Sequence, residues 1–268
     1  MSGTTAMIAV AAVLALMAFI AARRRTPQRS EWDTAAAALR LEPVAALDPA
    51  LTAAIISLHR PPVPDTAYEQ KQTWTLTRVY RHPETGASWY SVTVHLEQTG
   101  EIWQHGRTMR TESRETRVVA VVAETLQAPR MQLVPRAGVD PAGGALAAIV
   151  EAANAMTDAA AEHKGDRVEF ADDPAFDRRY LVLSPQPLPA RTFLDARRRR
   201  ELAGLEGLQV SVEGSLLLVS SPTDPIRNRG RSLEESLRAE LEHARRVLAV
   251  FTHREGSRTP MRVADAHQ

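Results

Sequence analysis

From Ser2 to Ala22 the chain carries no charged side chain, and residues 6–22 read AMIAVAAVLALMAFIAA. A helix rises 1.5 Å per residue, so this stretch reaches about 31 Å, close to the hydrocarbon thickness of a bilayer. Met7, Ile8, Val10, Val13, Leu14, Leu16, Met17, Phe19 and Ile20 cover every face of such a helix. An amphipathic helix of a water-soluble protein leaves one face polar. A cleaved secretory signal has positive charge before its apolar run and a small-x-small site after it. Here the charges come after: Arg23, Arg24, Arg25 and Arg29 follow the run and nothing charged precedes it. The pattern predicts a retained single-pass span in the inner (cytoplasmic) membrane. Flanking arginines stay cytoplasmic, which places the N-terminus outside and the rest of the chain inside.

Composition narrows the possibilities for the rest of the chain. The hydrophobic share of 44% and charged share of 24% are those of a chain that can bury a core. Only 5% of residues are aromatic, so that core is mainly Leu, Val, Ile and Ala. Net charge is +1, which gives no reason to expect nucleic acid as a partner. Lys71 and Lys164 are the only lysines, a skew toward arginine that fits a GC-rich genome. Cysteine is absent, which removes disulfides, thiolate nucleophiles and Cys-ligated metal.

The periodicities predict an α+β protein. After the anchor (1–22), residues 23–65 read as juxtamembrane helices and a Pro-rich linker. Residues 31–42 place Trp32, Ala36 and Leu39 on one helical face, Asp48-Pro49 opens a helix through Leu58, and PPVPD at 61–65 is stiff. Residues 66–253 form the soluble domain, with antiparallel sheet packed by helices, as one core or as two subdomains (66–165 and 166–253). Strands are expected at 73–80, 90–96, 111–123 and 131–134, and the turn at 82–86 joins the first two. Asp140-Pro141 caps an expected helix to about Glu162. Next in order come a strand at 179–184, a helix at 190–203, a hairpin at 207–220 and a helix at 232–252. The last opens on the capping box Ser232–Glu235 and carries the stripe Leu233, Leu237, Leu241, Ala244, Leu248, Phe251. Residues 254–268 are expected to be a flexible tail. Residues 137–176 are net acidic and 177–262 net basic, so the two blocks are candidates to face each other.

Few residues carry a chemical signal. There is no G-x-G-x-x-G and no G-x-x-x-x-G-K-[ST]. Gly143-Gly144 at a helix start offers only a weak anion cradle. The eight histidines lack metal-ligand spacing, and His95 with Glu97 on one strand face supplies two ligands where a site needs three or four. No catalytic, cofactor-binding or metal residue is therefore assigned, and no cofactor is expected. Arg197–Arg200 is a run of four arginines inside a helix. Such a run fans around the whole circumference and cannot serve one flat surface.

The segment that stands out is Ala171-Asp172-Asp173-Pro174-Ala175-Phe176-Asp177-Arg178-Arg179-Tyr180. Three carboxylates in six residues can hold Mg²⁺ or act as acid and base. Asp before Pro also starts turns, and Asp177 beside two arginines suits an ion pair. Asp172, Asp173, Phe176, Asp177, Arg178 and Arg179 are the candidate motif, structural rather than catalytic on this reading.

The same string resembles the G-D-P-x-F-D-R-R-F/Y motif of uncharacterised bacterial membrane-anchored proteins from GC-rich genomes. Asp172 stands where their Gly is usual. Their layout is similar: an N-terminal span, a short Trp- and Leu-bearing helix (Trp32 to Leu41), a Thr116-Arg117-Val118 strand, the motif and an α/β tail (181–252). Residues 98–110 and 185–189 are longer loops by that comparison. The resemblance implies a layout and no activity. The functional expectation is a membrane-tethered cytoplasmic interaction or scaffold module, bound to the bilayer through residues 2–22, with another membrane protein as a candidate partner. The alternatives are a membrane-associated hydrolase or transferase using Asp172, Asp173 and Asp177, and a regulatory domain that binds anionic lipid.

Overall fold

The structure is a computed structural model that describes residues 29–59, 71–103, 107–136, 154, 165–205, 207–221 and 231–253. The expected span at 2–22, the Gly143-Gly144 pair and the tail at 254–268 lie outside the described residues. So does the expected helix at 140–162, except Asn154, which is helical. No helix among the described residues is long and apolar enough to cross a membrane.

The fold is α+β, with nine antiparallel strands in one sheet and six helices among the described residues. In chain order these are α1 (Arg29–Ala38), β1 (Glu42–Pro43), α2 (Pro49–His59), β2 (Lys71–His82), β3 (Ser88–Trp103), β4 (Arg107–Val122), β5 (Ala128–Pro135), β6 (Asp166–Val168), α3 (Pro174–Arg179), β7 (Tyr180–Ser184), α4 (Pro187–Phe193), α5 (Ala196–Ala203), β8 (Gln209–Gly214), β9 (Leu216–Ser220) and α6 (Leu233–Thr252). The sheet order is β1-β2-β3-β4-β9-β8-β5-β7-β6. Strands from the two halves of the chain therefore alternate, with β5 between β8 and β7 and with β9 beside β4.

Alternation along each strand sends side chains to opposite faces, and both faces are covered. On one face Val119, Val121, Met131, Leu133, Val182, Val210 and Leu217 pack beneath α3 to α6, with Phe193 of α4 edge-on to Phe251 of α6 at 5.3 Å. On the other, Val92, Val94, Val118, Ala120 and Leu218 meet Ile55 and Leu58 of α2. This double cover explains why all five residues of β9 are buried. Residues 29–59 are thus packed onto the sheet: α2 lies on one face, and α1 contributes Trp32, Ala35 and Ala36 to a cluster with Tyr80 and Leu237.

Local signals act where the sequence puts them. Asp48 Oδ1 accepts the Ala50 and Leu51 N–H groups, at 2.8 and 3.1 Å, and so caps α2. Both halves of the Ser232–Glu235 capping box form on α6. Two expectations change. Residues 98–103 and 107–110 continue the β3 and β4 ladders rather than forming a loop. The expected helix 190–203 is two helices, α4 and α5, separated at Leu194-Asp195, where Asp195 caps α5 by accepting the Arg198 N–H at 2.8 Å.

Candidate functional site

The segment from Phe170 to Tyr180 links β6 to β7. Its central piece is a short helix, α3, with Pro174 in its first turn and Asp173 as its cap. Pro174 has no N–H to leave unpaired there, and the Asp173 carboxylate supplies the acceptor that the Phe176 N–H needs. That bond is 3.1 Å long and runs from Phe176 N to Asp173 Oδ1. Phe176 points inward and is 1% exposed; its ring lies edge-on to Phe170 and tilted against Tyr180, each at 5.5 Å. Asp177 makes no ion pair with Arg178 or Arg179 in the structure. Its Oδ2 accepts the Phe170 N–H at 2.9 Å and closes the segment on itself.

Arg178 is exposed, and the other polar groups, those of Asp172, Asp173, Arg179 and Tyr180, reach toward α5 and the turn after it. Arg199, the third of the four consecutive arginines, is 5% exposed. Its Nε lies 3.2 Å from Asp173 Oδ2, its Nη2 donates to Asp172 Oδ2, and its Nη1 donates to the Leu194 carbonyl at 2.9 Å. The guanidinium stacks over Phe170, 4.7 Å from the ring centroid. Arg179 donates to the Ala203 carbonyl and the Tyr180 hydroxyl to the Leu205 carbonyl. Ala203 ends α5 and Leu205 follows it in the turn, so neither carbonyl has an intrahelical N–H to accept. Arg197 and Arg198 pair with Glu201 and Asp195 on their own helix, at 2.7 and 3.3 Å. A run that reads as a solvated face thus contributes one buried residue that ties two elements together.

This arrangement divides the work of the three carboxylates. Both oxygens of Asp173 are engaged, one by the α3 cap and one by Arg199. Asp177 is committed to the backbone. Asp172 is 70% exposed at its side chain and bonds Arg199 through one oxygen. Between α3 and α5 lies an open cleft of about 490 Å³, lined among others by Asp172, Asp173, Arg179, Arg199 and Arg200. The pair of Asp172 and Asp173 with Arg199 is also a contact between the acidic and basic blocks of the sequence.

The described residues, the motif included, contain no group of three or more His, Asp or Glu side chains placed to hold a metal ion. His95 sits 3.8 Å from Glu115. His82, on β2, is buried against the Ser91 hydroxyl at 3.0 Å. Burial pushes its pKa down to about 4, and the nearby Arg245 adds to that fall while Glu84 opposes it. The imidazole is neutral at pH 7. Glu240 on α6 is also buried and lies 2.8 Å from Arg117 on β4. Burial raises its pKa, and Arg117 pulls it back. No protein-family model matches the chain, and no match was found among curated proteins or solved structures.

Proposed function

We propose that this chain is a membrane-tethered interaction module, anchored through residues 2–22 with the folded domain on the cytoplasmic side. The observation that carries this reading is the shape of the β2–β3–β4 arm. Ladder pairing between β3 and β4 runs from Ser88/Val122 to Trp103/Arg107, whereas β9 pairs with β4 only from Val119 to Val122. Beyond Val119 the other edge of β4 has no strand beside it among the described residues. An open strand edge is a template for a partner strand, in which main-chain hydrogen bonds supply affinity. The motif supports the same reading, because Asp172, Asp173 and Arg179 are engaged in holding α5.

The second reading, a membrane-associated hydrolase or transferase, draws on the cleft beside Asp172 and Asp173. Affinity capture of the full chain from native membranes separates the two. The interaction reading predicts a membrane-protein partner that is lost when Thr116, on the open edge of β4, is replaced by Pro. A captured set unchanged by that substitution, together with a turnover abolished by Asp172→Asn, contradicts it.

A further inference from the structure

We infer that the domain is held at a short, fixed height above the bilayer, with its β1–β2 edge toward the lipid and its β6 edge away from it. The inference rests on the anchor proposed above. Six residues, 23–28, separate that span from α1. An extended chain covers at most about 3.6 Å per residue, so the start of α1 lies within roughly 22 Å of the membrane. This restrains the domain only if α1 is fixed to it, and two independent contacts fix it.

The first contact is aromatic. Trp32 of α1 is 3% exposed and stacks parallel on Tyr80 of β2, with ring centroids 5.8 Å apart. Arg78 lies over the same indole at 5.6 Å. Its backbone has φ 51°, at the bulge where the β2–β3 register shifts between Thr77 and Tyr80. A bulge re-aims the side chain it carries. Here it presents Arg78 to Trp32 and also to Glu115, 2.8 Å away. Leu237 of α6 closes the cluster from the side. The second contact is β1, which follows α1 and pairs Glu42 with Arg81 and Pro43 with Tyr80. Helix α1 is therefore a bracket on the edge of the sheet rather than part of a free tether.

The sheet has nine strands, so eight strand spacings separate this edge from the other. At about 4.8 Å per strand, β6 lies roughly 38 Å away across the sheet. Helix α4 packs against β5, β6 and β7 at that far end and carries Leu188, which is 73% exposed. The charged residues of α1 and of the start of α6, Arg29, Glu31, Asp33, Arg231, Glu234 and Arg238, carry both signs. The height is set by chain length and by the Trp32 bracket.

Because the chain has no cysteine, one introduced thiol labels one site. Full-length Arg238→Cys and Leu188→Cys proteins carry a donor dye in vesicles whose headgroups carry the acceptor. Energy transfer should be severalfold higher from position 238 than from 188. A flexible Gly/Ser insert as long as α1, placed after Arg25, should lower transfer at 238 and narrow the difference. Trp32→Ala should act in the same direction, and the insert keeps the test intact if that variant fails to fold. Equal transfer at the two sites, or no response to the insert, overturns the fixed height while the anchor stands. Failure of the protein to float with the vesicles overturns the anchor and the inference with it.

Discussion

Arg117 on β4 and Glu240 on α6 form a 2.8 Å ion pair in which the glutamate is 8% exposed. It joins α6, the longest helix among the described residues, to the strand that carries the open edge. A buried ion pair contributes little net stability, but loss of one partner leaves an uncompensated charge. Arg117→Met should therefore destabilise the domain by about 3–5 kcal/mol at pH 7. The pH sign follows from burial, which raises the Glu240 pKa above its ordinary 4.5. Above that ordinary value the folded state keeps the proton longer than the unfolded chain. The desolvation cost is therefore felt as pH rises and relieved as it falls. The loss in Arg117→Met should be smaller at pH 5 than at pH 7 in urea titrations, and an equal loss contradicts the account.

His82 gives the opposite slope. Its folded pKa is about 4 against an ordinary 6.5. Between those values the unfolded chain binds a proton that the folded state refuses, so stability falls as pH drops from 6.5 toward 4. The loss from this one group between pH 7 and pH 5 should be roughly 2 kcal/mol. His82→Gln keeps a partner for Ser91 without titrating. Its urea midpoint should be less pH-dependent than that of the parent across this interval.

Within α6 the rotation of the helix is itself testable. Leu241 is 4% exposed, whereas Glu242 lies on the opposite, solvent-facing side. Leu241→Ala should cost about 2–5 kcal/mol. Glu242→Ala removes exposed contacts with Arg245 and Arg246 and should cost under about 0.5 kcal/mol. Similar midpoints for the two variants would mean that α6 is turned from the position described.

Local chemistry was readable in the sequence where a residue acts on its own neighbours. The Ser232 capping box and the Asp48 cap depend on spacings of two or three residues, and both are present; along β3 Val92 and Val94 pack with α2 as their spacing implies, but Ser91 and Thr93 between them are buried as well. The sheet order was not readable, because pairing β9 with β4 depends on which hydrophobic faces meet across a hundred residues. Arg199 and Glu240 show the same boundary. Four successive arginines circle a helix, so one of them must face whatever the helix packs against. Which one it is, and that aspartates await it, is a tertiary fact. Glu240 lies on the inner face of α6 between Leu237 and Ala244, and a charge interrupting an apolar stripe was the available signal. In the motif, the ion pair expected of Asp177 gives way to a backbone bond from Phe170, and the link from Asp172 and Asp173 to α5 had no signal in the sequence.

The core position of Phe176 predicts a loss of about 3–5 kcal/mol for Phe176→Ala, the range of large-to-small aromatic changes in cores. Urea unfolding of the chain from Arg29 onward reads this directly, since that chain retains α1 and α2, which pack on the sheet.

The central claim is that the Asp172–Tyr180 segment is a clamp on α5, and the direct test is the same unfolding measurement on Asp172→Asn, Asp173→Asn and Asp177→Asn. Each substitution keeps the shape and removes the charge. Asp177 accepts a backbone N–H, and Asp173 both caps α3 and holds buried Arg199, so these two variants should each lose about 1–3 kcal/mol. Asp172 is the more exposed partner and should lose less, about 0.5–1 kcal/mol. Carboxylates crowded for catalysis behave the other way: neutralising one leaves stability unchanged or raises it while function is lost. The clamp predicts losses ordered with Asp173 and Asp177 above Asp172. Three variants as stable as the parent, or more so, would contradict it and bring the enzyme reading forward.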